Sequence, residues 1–173
     1  MMSEERTFEC LVEEIDYLLR RTSHIVRYRG RSILSSFDIT PPQFTALVTI
    51  IHHDDLTMGC LCRHLYLASS TVTDLINRME KADLVERIRD EKDKRVIRLR
   101  PRPRGHALLK EVMAARIRYL SDVLGHLSDG ERRTIRDSLA GMHEMMVARD
   151  ASYAEDDARL TDDTREDRSD DES

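Results

Sequence analysis

Apolar residues near the start of the chain repeat at the spacing of an α-helix. From Phe8 to Val26 one stripe of positions advances in steps of three and one, and all of its members except Thr22 are apolar. This spacing predicts one long amphipathic helix over about residues 5–36, because a helix returns to the same face every three to four residues. We expect Gly30 and the serine-rich stretch to Phe37 to end or bend it.

The same helical pattern appears twice between residue 104 and the acidic end of the chain. A long helix is expected over about residues 104–127, with one apolar face. Ser128 and Glu131 then form the pattern of a capping box, in which each residue satisfies a backbone N–H near the other. We therefore expect a last helix to begin there.

These patterns divide the chain into three parts. Residues 5–36 and 104–148 carry more apolar helix surface than a small domain can cover, and we expect them to hold a homodimer together. Residues 40–100 form the compact part between them, and the domain is expected to span 5–148. The remaining segment, 150–173, is dominated by Asp, Glu, Arg, Ser and Thr, which predicts a disordered acidic tail.

Three short helices are expected in the middle part, each with a recognisable start. Thr40 suits an N-cap and Gln43 completes a capping box, whereas Thr57 caps the second helix. We expect Ser69 or Ser70 to cap the third. The apolar stripe of that helix falls at i, i+3, i+4 and i+7, which commits one face to a core. The stripe consists of Val72, Leu75, Ile76 and Met79.

The opposite face of the third helix is polar, and a basic hairpin follows it. Alternating residues at 85–89 and 96–99 predict two strands joined by a charged loop. Small hydrogen-bonding side chains can lie in a DNA major groove, and a basic hairpin can reach the phosphates or the minor groove. The sequence thus predicts a mainly α fold with a small β-hairpin wing: a winged helix-turn-helix domain plus N- and C-terminal dimerisation helices.

The net charge of −5 over 173 residues at first argues against a nucleic-acid partner. The charge is unevenly distributed, however. Residues 150–173 have 11 acidic and 3 basic side chains, whereas residues 57–105 have 12 basic and 7 acidic ones. The acidity therefore belongs to the tail, and the predicted DNA-binding segment is locally basic.

Two segments resemble the MarR family of bacterial regulators, and the resemblance extends over roughly residues 5–148. Residues 65–73 match the family where the chain enters the polar-faced helix. Residues 90–99 match its wing, where Asp93 stands two residues before Arg95 and a short apolar strand follows. The family commonly has Gly where Asp83 stands, and Asp tolerates the left-handed conformation better than most residues do.

The resemblance implies a homodimer that binds a pseudo-palindromic site in double-stranded DNA. It also implies a small aromatic effector between the dimerisation helices and the winged domain. Arg95 would enter the minor groove, and Asp93 would pair with a nearby arginine to hold the loop in shape. The expected DNA-contacting residues are Ser69, Ser70, Thr71, Thr73, Asp74, Asn77, Arg78, Arg89, Lys92, Lys94, Arg95 and Arg98.

The cysteines leave redox sensing open. Some members of the resembled family sense oxidants through a cysteine in the first helix, where Cys10 lies about a turn and a half from the expected position. Cys60 has Arg63 and His64 as neighbours, which can lower the pKa of its thiol. A zinc site is disfavoured, because Cys60, Cys62 and His64 point to different sides of one helix. No metal is expected.

No nucleophile–base set, phosphate-binding glycine loop or paired carboxylate site is recognisable, so neither an enzyme nor a cofactor is expected. No apolar run approaches the roughly 20 residues of a membrane span, and three cysteines suit a reducing cytoplasm. The predicted function is a cytoplasmic DNA-binding regulator, a repressor rather than an activator, released by a small-molecule or redox effector. The alternative is a helical dimeric scaffold without DNA binding, which the negative net charge motivates.

Overall fold

Six helices and one β-hairpin form the part of the chain that the computed structural model describes, residues 2–53, 56–90 and 93–149, with side chains from residue 7 onward. In chain order the elements are α1 (Met2–Ser36), α2 (Pro41–His52), α3 (Met58–Leu65), α4 (Ser69–Lys81), β1 (Val85–Arg89), β2 (Ile97–Pro101), α5 (Pro103–Leu124) and α6 (Asp129–Arg149). The two strands pair antiparallel, with Val85 opposite Pro101. The predicted fold class, mainly helical with a two-stranded wing, is confirmed.

The predicted caps at the starts of α2, α3 and α6 are confirmed. The backbone N–H of Thr40 donates to Oε1 of Gln43 at 2.9 Å, and the N–H of Gln43 donates to Oγ1 of Thr40 at 3.5 Å. Oγ1 of Thr57 accepts a backbone N–H in the first turn of α3 at 3.2 Å. Ser128 and Glu131 form the reciprocal pair at α6. These bonds satisfy N–H groups that the first helical turn leaves unpaired.

The first helix ends within the serine-rich stretch, as predicted, and not at Gly30. α1 continues through Gly30 to Ser36, within the predicted serine-rich stretch, and Asp38 then adopts a left-handed φ of 53°. Leu34, one turn beyond the glycine, is 4% exposed in the core. Its burial outweighs the roughly 1 kcal/mol that a glycine costs inside a helix.

The prediction that Ser69 or Ser70 caps α4 is wrong. Ala68 occupies the N-cap with an extended backbone and no side-chain capping bond, and its carbonyl accepts the N–H of Val72 at 3.1 Å. The reason lies in the preceding turn, where the left-handed Tyr66 ends α3 and lets the next helix begin at once. Neither the Ser69 nor the Ser70 hydroxyl therefore caps the helix.

The core lies where α2, α3 and α4 meet the hairpin, with α1 and α5 packed against it. Leu47, Leu61, Ile76 and Val112 have no exposed surface, and they come from four different helices. The hairpin is fixed to this core by the N–H of Leu99, which donates to the carbonyl of Leu56 at 2.8 Å. The wing is therefore attached to the same core as α4, the helix that carries the polar face.

Three helices leave apolar faces exposed. α6 contributes no buried residue within the described ranges. The exposed large apolar side chains of α1, α5 and α6 include Phe8, Leu11, Ile15, Leu18, Ile25, Ile117, Leu120, Val123, Ile135, Leu139 and Met146. None of the helices in the described ranges is both long and apolar enough to span a membrane. The predicted tail at 150–173 lies outside the described residues, so its disorder stays a prediction.

Candidate nucleic-acid interface

The polar face of α4 is turned to solvent because the opposite side of the helix is buried. Val72, Ile76 and Met79 have no exposed surface, and Leu75 has 8%. Fully burying side chains of this size stabilises by about 1.5–3 kcal/mol each, so the helix cannot rotate about its axis without losing that burial. The predicted contact residues of this helix are all exposed. They are Ser69, Ser70, Thr71, Thr73, Asp74, Asn77 and Arg78.

A tight turn sets the start of α4 against the end of α3. Tyr66 has a φ of 52°, its N–H donates to the Arg63 carbonyl at 3.3 Å, and the N–H of Leu67 donates to the Cys62 carbonyl at 3.2 Å. This pair of bonds satisfies the last carbonyls of α3. The Tyr66 side chain is 91% exposed beside the start of α4. Because tyrosine hydroxyls bind phosphates, Tyr66 joins the candidate interface, although it was not among the expected DNA-contacting residues.

The hairpin exposes cations at and near its tip. Arg89 ends β1, and Lys94 and Arg95 occupy the turn before β2, where all three are exposed. Lys92, which the sequence grouped with them, lies outside the described residues. The described cations are carried by a wing anchored to the core, so they form a fixed extension of the α4 surface.

The wing is braced differently from the expectation. The resemblance implied that Asp93 pairs with an arginine side chain, whereas its Oδ1 accepts the backbone N–H of Arg95 at 2.9 Å. A short aspartate side chain readily reaches a backbone N–H two residues ahead, which is a common way to shape a turn. The guanidinium partner belongs to Asp90, whose Oδ2 accepts Nε of Arg98 at 2.6 Å. Arg98, predicted as a DNA contact, therefore ties β2 to the start of the loop.

An arginine that the sequence reading missed joins the wing to α4. Nη1 of Arg87 donates to Oδ1 of Asn77 at 2.8 Å and also forms an ion pair with Glu80. Nη2 donates to the Thr73 carbonyl at 3.2 Å, and the backbone N–H of Arg87 donates to Oε1 of Glu80 at 2.9 Å. A signal was available, since Arg87 alternates in phase with the buried Val85 and an inward-facing charge must find partners.

A second charged cluster joins α5 to the end of α4. Asp83 adopts a φ of 62°, as expected for a residue standing in place of glycine, and its carboxylate pairs with Nη1 of Arg102. Nε of Arg102 lies 3.3 Å from Oε2 of Glu86 on β1. The hydrogen bond and the charge of Asp83 raise the pKa of Arg102. This cluster lies at the junction of the winged part and the long terminal helix.

A cavity of 390 Å³ lies between α1, α2 and α5. The guanidinium of Arg116 stands 4.9 Å above the centre of the Phe44 ring. Within the described residues, its buried Nε has no hydrogen-bond partner, and burial lowers the pKa of this side chain. Tyr119 and Leu120 add apolar walls. The cavity thus combines aromatic surface with a cation that lacks a full set of acceptors.

The two cysteines considered for redox chemistry have different surroundings. Cys10 is exposed, and its Sγ lies 4.0 Å from a carboxylate oxygen of Glu14. Cys60 is half-buried at the start of α3, and Nη2 of Arg63 donates to its Sγ at 3.0 Å. The Thr57 side chain, and next the charge of Arg63, lower the pKa of the Cys60 thiol against an opposing effect of burial. A lowered pKa favours the thiolate, the reactive form.

Histidines lie close to Cys60 without completing a metal site. The rings of His53 and His64 are 4.7 Å apart at their centres, and their Nδ1 atoms lie 2.9 Å from the carbonyls of Thr49 and Cys60. In the part of the chain that the structure describes, no three His, Cys, Asp or Glu side chains are grouped so that they could hold a metal ion.

Comparison with known proteins identifies close relatives. A model of the MarR family matches residues 39–97. The uncharacterised HTH-type transcriptional regulator YsmB of Bacillus subtilis is 42% identical over 135 residues, which cover 78% of this chain and 92% of that protein. The organic hydroperoxide resistance transcriptional regulator of the same organism is 35% identical over 101 residues, covering 58% of this chain and 68% of that one.

Solved structures share the fold over nearly their whole length. A MarR family protein from Bacillus stearothermophilus has a TM-score of 0.70 at 42% identity, covering 80% of this chain and 97% of that chain. A mutant of MepR from Staphylococcus aureus, bound to an oligodeoxyribonucleotide, has a TM-score of 0.63 at 23% identity, with 76% and 97% covered. The second likeness concerns the fold alone.

Proposed function

Because the chain belongs to the MarR family, as its sequence motifs indicated, we propose that it is a repressor that binds a pseudo-palindromic operator as a homodimer. It is a DNA-binding transcriptional regulator. The finer description depends on one observation: the exposed polar face of α4 lies beside a wing with exposed cations, and both are fixed to one core. The operator is double-stranded DNA, so we place the protein in the cytoplasm.

The exposed apolar faces of the terminal helices support the proposed dimer. Phe8 and Leu11 on α1 and Ile135 and Leu139 on α6 are each at least 40% exposed. Burying apolar surface gains about 25 cal/mol per Å², so a face of this extent favours association. A two-fold axis through these helices presents two copies of α4, which fit successive major grooves when half-sites lie about one helical turn apart.

The two DNA-reading parts have distinct tasks in this proposal. α4 enters the major groove with Thr73, Asn77 and neighbouring polar residues toward base edges, which carry the sequence information. The wing approaches the adjacent minor groove with Arg95 at its tip, while Arg89 and Lys94 contact phosphates. Arg98 supports the loop through Asp90 and acts indirectly.

The effector is proposed to be a small aromatic anion held in the cavity between α1, α2 and α5. Arg116, which stands over the buried Phe44 ring, supplies the charge for a carboxylate, and the Tyr119 ring supplies stacking surface. A ligand there contacts both the dimerisation helices and the winged part, so it can favour one spacing of the two α4 helices over another. Oxidation remains a second route to release, with Cys60 favoured over Cys10 because the pKa of its thiol is lowered.

Salt-dependent DNA binding tests the proposal. Specific DNA is selected from a random pool, and its affinity is measured by fluorescence anisotropy over a range of salt concentrations. We expect a steep loss of affinity, with a log–log slope of about −0.9 per phosphate neutralised. The chain ending at Arg149 serves as a control for the acidic tail. No DNA binding at low salt by either form would refute the proposal and favour the scaffold alternative.

A further inference from the structure

Arg87 attaches the wing to α4, and it also holds the side chain of Asn77. Both hydrogens of its Nη1 are in use, one toward Oδ1 of Asn77 and the other toward the carboxylate of Glu80. Its Nη2 is held by the Thr73 carbonyl. The side chain is 22% exposed, so it is confined between β1 and α4. The Arg87 guanidinium therefore offers Asn77 a donor of fixed position.

This contact determines how the Asn77 amide faces solvent. An asparagine side chain has one oxygen acceptor and one NH₂ group with two donors. The oxygen of Asn77 is directed at Arg87, so the planar amide places its NH₂ group on the other side. Among the described residues, no hydrogen bond involves Nδ2 of Asn77, and the residue is exposed. The group that Asn77 offers to a ligand is thus its NH₂ group, a hydrogen-bond donor.

We propose that Arg87 is a positioning residue for DNA recognition and that it makes Asn77 favour guanine over adenine at the base it contacts. This inference rests on the proposed docking of α4 in the major groove. An unconstrained asparagine pairs with adenine through two bonds, giving its NH₂ to N7 and accepting N6–H₂ with its oxygen. The charged donor of Arg87 engages that oxygen, which weakens the accepting half of the pair.

Guanine fits the donating NH₂ group of Asn77 better than any other base does. Its major-groove edge carries two neighbouring acceptors, N7 and O6, whereas cytosine presents the N4–H₂ donor. The NH₂ group of Asn77 can donate to both guanine acceptors without its own oxygen. Arg87 thereby influences sequence preference although it contacts no base itself, through the orientation it imposes on a neighbour.

Selection of bound DNA from a random pool tests this assignment, using the full chain, the Asn77→Asp variant and the Glu80→Gln variant. For the wild type we expect guanine over adenine by at least about fivefold at one position of each half-site, the lower end of what a base-edge contact contributes. Asn77→Asp keeps an acceptor for Arg87 but loses the donors. At that same position it should turn the preference to cytosine, whose N4–H₂ a carboxylate accepts.

Glu80→Gln leaves the Asn77 amide unchanged but weakens the ion pair that holds Arg87 in place, so it should reduce the guanine preference at that position. An undiminished preference in Glu80→Gln would remove Arg87 from the positioning role. Asn77→Ala identifies the same position independently, by loss of its preference, should Asn77→Asp fail to fold. Adenine at that position in the wild type, or base preferences identical in wild type and both Asn77 variants, would overturn the inference while leaving the proposed function standing. A wild type that enriches no sequence would overturn both.

Discussion

Replacing Gly105 with alanine tests how closely α5 is packed against the winged part. Gly105 is buried in the first turn of α5, where its N–H donates to the Arg102 carbonyl at 2.8 Å. A Cβ at this position would lie 3.1 Å from Cδ1 of Leu47 and 3.3 Å from the carbonyl carbon of Leu84, and it would overlap the carbonyl oxygen of Leu84. That oxygen is backbone, so relief requires the whole turn to move.

The magnitude follows from two opposing effects. Overpacking a closely packed site costs about 1–3 kcal/mol, and the upper part of that range, about 2–3 kcal/mol, applies here because the overlapping atom is backbone. Alanine recovers up to about 1 kcal/mol relative to glycine, because it loses less backbone entropy in a helix. The free energy of unfolding should therefore fall by about 1–2 kcal/mol. For a chain of this size, that lowers Tm by roughly 2–8 °C.

Thermal unfolding followed by circular dichroism provides the assay, at one fixed protein concentration because the Tm of the proposed dimer depends on concentration. Gly59→Ala is the matched control, since no atom other than the adjoining helix backbone and its two chain neighbours lies within 4 Å of a Cβ at this position in α3. It should leave stability unchanged or raise it by about 0.4–1 kcal/mol. A Gly105→Ala variant as stable as the Gly59→Ala variant would refute the close contact between α5 and the Leu84 carbonyl.

Three further predictions concern charge and reactivity. Arg95→Ala should weaken operator binding and reduce the salt slope by about 1 without changing Tm, as measured by anisotropy and thermal unfolding; unchanged affinity would remove Arg95 from the interface. Arg116→Leu should weaken the binding of benzoate, a probe aromatic anion, by about tenfold or more, because it removes a charged hydrogen-bond donor. Calorimetry measures this affinity, and equal affinity in the two proteins would contradict the role assigned to Arg116. The pH midpoint of Cys60 alkylation should lie below the ordinary thiol value of 9.0, and it should rise in Arg63→Gln because the thiolate loses a nearby cation. A wild-type midpoint at or above 9.0 would contradict the geometry around Sγ of Cys60.

The elements that the sequence predicted well are those whose signal is local. The i, i+3, i+4, i+7 stripe of α4 needs only neighbouring residues to be recognised, and its four members are buried as expected. The capping boxes at Thr40 and Ser128 depend on residues three positions apart. The left-handed Asp83 was expected because a short polar side chain tolerates that conformation.

The features that were missed depend on contacts between distant positions. Arg87 reaches residues 7, 10 and 14 positions away, and no spacing rule indicates which of several arginines will do so. The choice of Asp90 over Asp93 as the partner of Arg98 likewise depends on how the hairpin turn closes. Ala68 became the N-cap because the preceding turn determines where α4 begins. In each case tertiary geometry determined the outcome.

Hydroxyl-radical footprinting on the selected operator tests the central claim most directly. If two copies of α4 and two wings read the site together, protection should be two-fold symmetric, with half-site centres about 10–10.5 base pairs apart. Each half-site should lose its outer minor-groove protection in Arg95→Ala and keep the protection of the sugars that flank the major groove occupied by α4. A single asymmetric footprint, or protection that Arg95→Ala leaves unchanged, would contradict the account.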